Sequence, residues 1–311
     1  MTDGQWEALA LVLALVLTFG ATADRWSDHL RPRTAVRLLL STSFALAAAA
    51  LTAVTMAALP LAGLFDGLAD GRWSDRAFAN WPAGSKALAV LAVAAVMASL
   101  ARGLRELREQ RRALSAVRQM RRGIGPTADG VLVVASDELD AVAVDVDLIL
   151  MTRGLIRSLI AVERRAVLAH ERAHLANRHH RYARVAAVIA AVNPLLLGVP
   201  RTTGYLLERW ADEDAAAATS RQDVAAALTR VVATGAPART SAGPPVALRA
   251  ARVALERRIC AIDREQQRPR LRGIIAPVLL VGAVLALAGG IAERTLDIFQ
   301  LASALHHIAG P

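Results

Sequence analysis

LIAVERRAVLAHERAHLANRHHRYARVAAVIAAVNP, residues 159–194, is the stretch on which the architecture of this chain turns. Its apolar residues recur at helical spacing from Leu159 onward. Asn193-Pro194 ends the run, because proline forces the residue before it out of the helical region. Four of the chain's seven histidines fall between His170 and His180. His170 and His174 lie four apart, on one helical face, where both can offer nitrogen to one ion. Glu171 is turned about 100° from His170, beside such an ion rather than on it. The apolar pattern continues past Asn177 through Ala183, Val185, Ala186 and Ile189, so the sequence predicts a single helix.

Outside this stretch the chain reads as a membrane protein. It has 311 residues, 55% of them hydrophobic, and a mean hydropathy of +0.37. Four apolar runs have the length of membrane spans: 8–23, 35–65, 86–101 and 273–292. The first has no basic flank before it, only Asp3 and Glu7, and does not read as a cleaved signal peptide. Arginines crowd 24–34, 102–122 and the approach to the fourth run, whereas 66–85 is balanced or acidic. By the positive-inside rule both termini and 66–85 lie outside, with 24–34 and 102–272 in the cytoplasm. The multi-pass chain is thus expected in a bacterial plasma membrane. The net charge of +10 is explained by these flanks, and with only 4% aromatic residues nucleic acid is not an expected partner. One cysteine, Cys260, excludes an internal disulfide and is expected to be buried.

The expected division is therefore 1–101 with three spans, a cytoplasmic α+β unit at 102–272, and 273–311 with the fourth span and a short outer tail. Within the cytoplasmic unit, VLVVAS (131–136), AVAVDV (141–146) and LILMTRG (148–154) read as short strands. The arginine-rich 102–122 is assigned to anionic lipid headgroups. A second helix is expected from Thr202 or Thr203, then a linker at 235–245 and an amphipathic helix over 246–267. Glu163 receives no role.

His170-Glu171-x-x-His174 is the pattern of zinc proteases, with Glu171 placed to take a proton from water. Histidines on the wet face of an amphipathic helix give the same letters, so a third ligand has to be sought. One candidate is His180, at the spacing of a metzincin-like pattern with Asn177 in the place of the turn glycine. An unbroken helix points His180 away from the ion and leaves His179 and His180 as surface residues. The other candidate is Glu208 in YLLERWADEDAAAA, with Asp212 one turn on to accept the outer N–H of a ligating histidine. Alanines beside them allow a second helix to come close. A solvated acidic patch near a helix start accounts for the same two acids. Parity adds a condition. If the apolar 183–200 crossed the membrane, Glu208 would lie opposite His170. That segment must then be a re-entrant or interfacial hairpin, or pack on protein.

AVERRAVLAHERAHLANRHH followed by LLERWADEDAA resembles the BlaR/MecR-type membrane metallopeptidases of peptidase family M56, with HtpX-type and CAAX-prenyl-protease-type enzymes as more distant relatives. The resemblance covers roughly 100–260. It implies a mainly α membrane protein, four transmembrane helices with a gluzincin-like α+β metalloprotease domain between the third and fourth. It further implies one Zn2+ per chain, held by His170, His174 and Glu208, with Glu171 as general base and Asp212 supporting the site. The implied partners are the lipid bilayer and a protein or peptide substrate, a cytosolic repressor being the type the resemblance suggests. HtpX-like quality control of membrane proteins is the alternative, and a non-catalytic signalling scaffold the second. The substrate and the oligomeric state, a homo-oligomer included, stay open. Sensor members of M56 carry a large outer penicillin-binding domain where this chain has only 293–311, so the resemblance does not extend to β-lactam sensing.

Overall fold

Apolar helices form the base on which the site is built. The computed structural model describes residues 3–27, 30–58, 83–124, 128–145, 148–233 and 255–262, with helical positions 279, 282, 283, 286 and 290. Three long helices come first: α1 (Asp3–Ser27), α2 (Pro32–Ala58) and α3 (Ala83–Arg122). Two stretches, Pro32–Thr55 and Ala87–Arg122, are long and apolar enough to cross a membrane. The expected first span, 8–23, lies within α1, which is not among those two. Expected span residues 59–65 and most of 273–292 lie outside the described residues.

The third apolar run and the arginine-rich segment after it are one uninterrupted helix of 40 residues. At 1.5 Å per residue, α3 is roughly 60 Å long, twice the thickness of a hydrocarbon core of about 30 Å. Its apolar half exposes Val90, Leu91, Met97 and Leu100. Its polar half runs on beside residues 184–191.

Strands β1 (Val131–Val134), β2 (Ala141–Asp145) and β3 (Leu148–Thr152) form a sheet of order β1-β3-β2. β3 pairs parallel to β1 and antiparallel to β2. Being central, β3 is the strand with Leu148, Ile149 and Met151 all buried. A short helix, α4 (Arg153–Ser158), follows with Thr152 as its N-cap. Gly154 is obligatory there: a Cβ would stand 2.3 Å from the Asp137 carbonyl oxygen.

Helix α5 (Ala161–Ala176) carries the His-Glu-x-x-His residues, α6 (His179–Val192) the apolar extension, α7 (Val199–Ala218) Glu208 and Asp212, and α8 (Arg221–Ala233) closes this part. Two expectations are corrected. The helix does not run unbroken past Asn177: Asn177 caps α5, and Arg178 takes the left-handed conformation at φ 54°, ψ 44° before α6 begins. The second helix also starts earlier, at Val199 rather than Thr202 or Thr203. Pro200, in its first turn, needs no N–H there.

The apolar segment 183–200 packs on protein. It descends along α3, with Gln110 Nε2 donating to the Arg184 carbonyl (3.1 Å) and Arg102 Nε to the Ala191 carbonyl (3.0 Å). Asn193 ends α6, and a short 3-10 turn, Pro194–Leu196, reverses the chain. Leu195 meets α1 at Gly20, where a Cβ would lie 2.8 Å from the Leu195 carbonyl oxygen. One core joins Val12, Val16 and Phe19 of α1 and Leu39 and Leu46 of α2 to Ile189, Leu196, Leu206 and Trp210. Because the hairpin returns, α5 and α7 stand side by side.

Candidate metal centre

Close packing of α5 on α7 is made by small side chains. Ala166 and Ala173 on one helix, and Ala211 and Ala215 on the other, are buried. This brings the functional positions of both helices face to face. The Nε2 atoms of His170 and His174 approach to 3.1 Å. Glu208 Oε2 is 3.4 Å from His170 Nε2, and Oε1 is 3.5 Å from His174 Nε2. Ligands about 2.0–2.1 Å from a tetrahedral zinc stand roughly 3.3 Å apart. The two imidazole nitrogens stand near that spacing, and one ligand atom from each of the three residues lies within 4.8 Å of the others, so the group could hold such an ion. All three residues are partly buried.

Glu171 points instead toward the sheet. It is 4% exposed, and the Ala143 N–H of β2 donates to its Oε2 at 2.9 Å. That bond ties the carboxylate to the sheet, in keeping with its offset of about 100° from His170 around the helix.

The outer nitrogens are also engaged. His170 Nδ1 donates to Asp212 Oδ1 at 2.9 Å. Burial opposes charge on His170, but the hydrogen bonds to Asp212 and Glu208 prevail and raise its pKa to about 9. His174 Nδ1 lies 2.9 Å from Nδ1 of His179.

His179 is thus not the surface residue expected from an unbroken helix. It is 2% exposed, tilted against Trp210 with ring centroids 4.8 Å apart, and burial pushes its pKa down to about 4. The turn at Arg178 swings it back toward His174. His180 remains exposed and is not part of the donor group. Its exclusion thus follows from the new helix's direction rather than from continuity of the old one.

Arg258 was not singled out in the sequence. From 255–262 it reaches Asp212 with two bonds, Nε to Oδ2 and Nη2 to Oδ1, both 2.7 Å, while Nη1 sits 2.9 Å from Glu208 Oε2. Burial works against ionisation of both acids. The Arg258 charge and the His170 contact outweigh it, holding Glu208 well below the usual carboxylate range and Asp212 below it also. The same two carboxylates overcome burial to raise the pKa of Arg258. No sequence pattern links an arginine to acids 46 and 50 residues upstream across a linker.

Two further corrections concern residues near the site. Glu163 is 2% exposed. It accepts the Ile160 N–H at 3.0 Å and Arg230 Nε at 2.7 Å, so it anchors the start of α5 to α8. Cys260, expected to be buried, is exposed. It shares the helical stretch 255–262 with Arg258 and Ile262, of which Ile262 takes the buried position.

Residues 105–192 match the model of peptidase family M48. This is a membrane and zinc metallopeptidase family related to, but distinct from, M56. The match spans under a third of the chain and includes His170, Glu171 and His174 but stops short of Glu208 and Asp212. It supports a metalloprotease and gives no support to M56, to a BlaR-like assignment or to signal transduction. The pair of motifs that suggested M56 follows from what a two-histidine, one-glutamate zinc site needs, and so does not separate the two families. No curated protein and no solved structure matches the chain significantly.

Proposed function

We propose that this protein is an integral membrane zinc metalloendopeptidase that hydrolyses peptide bonds at the cytoplasmic face. The observation that carries the reading is the donor group of His170, His174 and Glu208, with the buried Glu171 next to His170 in the chain on the same helix. His170 and His174 would hold the ion through Nε2 and Glu208 through its carboxylate, one Zn2+ per chain. When bound, zinc supplies Lewis-acid polarisation of the scissile carbonyl and lowers the pKa of water. Glu171 takes the proton of the attacking water and delivers it to the leaving amine. The Ala143 N–H keeps the Glu171 carboxylate from rotating away, and Asp212 keeps the His170 proton on Nδ1 so that Nε2 faces the ion.

The substrate class is protein or peptide, presented at the bilayer. The four-span arrangement, with 102–272 inside and both termini outside, remains part of this proposal. Cleavage of a cytosolic repressor rested on the M56 resemblance. That the matching family is M48 weighs against this and favours quality-control cleavage of membrane proteins as the second reading. Cuts spread over many misfolded substrates would support it, and a single cut in one partner would sink it.

Metal analysis and proteolysis on the purified full-length protein test the main reading. Glu171→Gln should keep zinc and lose about 10²–10⁴-fold of the hydrolysis rate. Glu208→Ala should lose zinc, and His180→Ala should keep it. Unchanged proteolysis in Glu171→Gln would remove the enzyme reading, and zinc loss in His180→Ala alone would overturn the ligand set.

A further inference from the structure

Each ligating histidine has an outer nitrogen, and the two are served differently. That of His170 meets a carboxylate, whereas that of His174 meets a second imidazole, Nδ1 of His179, at 2.9 Å. We propose that His179 is the positioning residue of His174: its imidazole accepts the outer N–H of His174 and fixes that ring, as Asp212 does for His170. The inference rests on the zinc reading above and assigns a role to a residue outside the ligand set.

The geometry leaves one arrangement of protons. His174 turns Nε2 toward His170 and Glu208, so as a neutral ligand it carries its hydrogen on Nδ1. His179 Nδ1 must then present a lone pair, and its own hydrogen sits on Nε2. That Nε2 is buried and has no hydrogen-bond partner among the described residues. It lies in the pocket of Trp210, whose ring is tilted 52° to the imidazole and offers at most a weak N–H contact to an aromatic face. Leaving that nitrogen poorly served is the cost of holding the other one, Nδ1, against the ligating His174.

Local backbone selects His179 for this task. The left-handed residue Arg178 ends one helix and starts the next, turning the first side chain of α6 back over α5. The break is braced by Asn177, whose Nδ2 donates to Ala173 O at 2.9 Å and to Asp214 Oδ2 at 2.7 Å on α7. His180, one position on, faces solvent.

The test uses full-length protein in detergent and zinc itself, with affinity read by competition against a chromophoric chelator. His179→Phe keeps an aromatic ring against Trp210 and deletes the acceptor. It should weaken zinc binding about 10- to 100-fold, as loss of such a partner typically does. His179→Asn loses volume but places an amide oxygen near the Nδ1 position, and should recover most of the affinity. Wild-type affinity in His179→Phe, or recovery by Phe and not by Asn, would overturn the proposal in favour of packing. Absence of zinc from the wild type would instead bring down the enzyme reading beneath it. Should His179→Phe fail to fold, ¹⁵N-histidine spectra of the zinc-loaded wild type decide: the hydrogen of His179 is expected on Nε2, and finding it on Nδ1 overturns the assignment.

Discussion

At the scale of single residues, charge balance governs the site. Two acids, Glu208 and Asp212, face two cations, Arg258 and protonated His170. With a pKa raised from 6.5 to about 9, His170 carries a proton throughout the physiological range in the metal-free protein. Zinc needs its neutral Nε2, so binding displaces that proton. From this group alone, apparent zinc affinity should rise about tenfold per pH unit up to about pH 9 and flatten above it. Chelator competition across that range would show it, and a flat profile would mean His170 is already neutral. The sign for stability is opposite. A raised folded pKa stabilises the metal-free protein fully below 6.5, and the contribution is lost as pH climbs through about 9. Chelated protein should accordingly melt lower at pH 9.5 than at pH 6.5. Arg258 supplies the other positive charge. In Arg258→Met, Asp212 (1% exposed) stays buried without its bidentate partner. A loss of about 3–5 kcal/mol is expected by chemical denaturation of the metal-free protein. None of this balance was legible from sequence. The acids and His170 were found by spacing, but Arg258 is one of several arginines in its segment, and only the fold selects it.

Among the elements, the decisive one is the break between α5 and α6. Helix and strand positions were readable because their apolar periods are clear: all three strands lie within the predicted segments, and Asn193-Pro194 ends α6 as expected. The break was not readable. Apolar side chains on both sides of it continue to look helical, and the residue that takes the left-handed conformation is an arginine. Asn177 was the natural candidate for that conformation, yet it stays right-handed at φ −87° and passes the turn to its neighbour. An L side chain at Arg178 costs roughly 1 kcal/mol that glycine would not. Arg178→Gly should therefore keep zinc and gain about 0.5–1 kcal/mol in denaturation. Arg178→Val, with a branched Cβ, should lose stability and weaken zinc binding together, because it disturbs the placement of His179. Equal behaviour of the two variants would show that the turn does not position the site.

The whole molecule brings the site and the membrane into register. Arg102 and Gln110 of α3 lie against Ala191 and Arg184 of α6, so the two helices run antiparallel. His179 is five residues beyond Arg184, which sets the site about 20 Å along α3 from its apolar half at 1.5 Å per residue. The hairpin tip at Asn193-Pro194, by contrast, is level with the boundary near Arg102. The sequence reading required 183–200 to return and left its environment open; the packing against α1 and α3 depends on pairings between distant segments that no local period encodes. A second contact links the start of α2 to the same side: the Arg33 guanidinium lies over Trp210, 5.5 Å from its ring centroid. The proposed orientation, argued from arginine placement, has this side in the cytoplasm, and the lone, exposed Cys260 is a natural reporter of it. A membrane-impermeant maleimide should label Cys260 only after cells are permeabilised. In a Cys260→Ala background, Ala69→Cys in the expected outer loop should label in intact cells. Labelling of Cys260 in intact cells would invert the orientation and place proteolysis outside, while leaving the ligand geometry untouched.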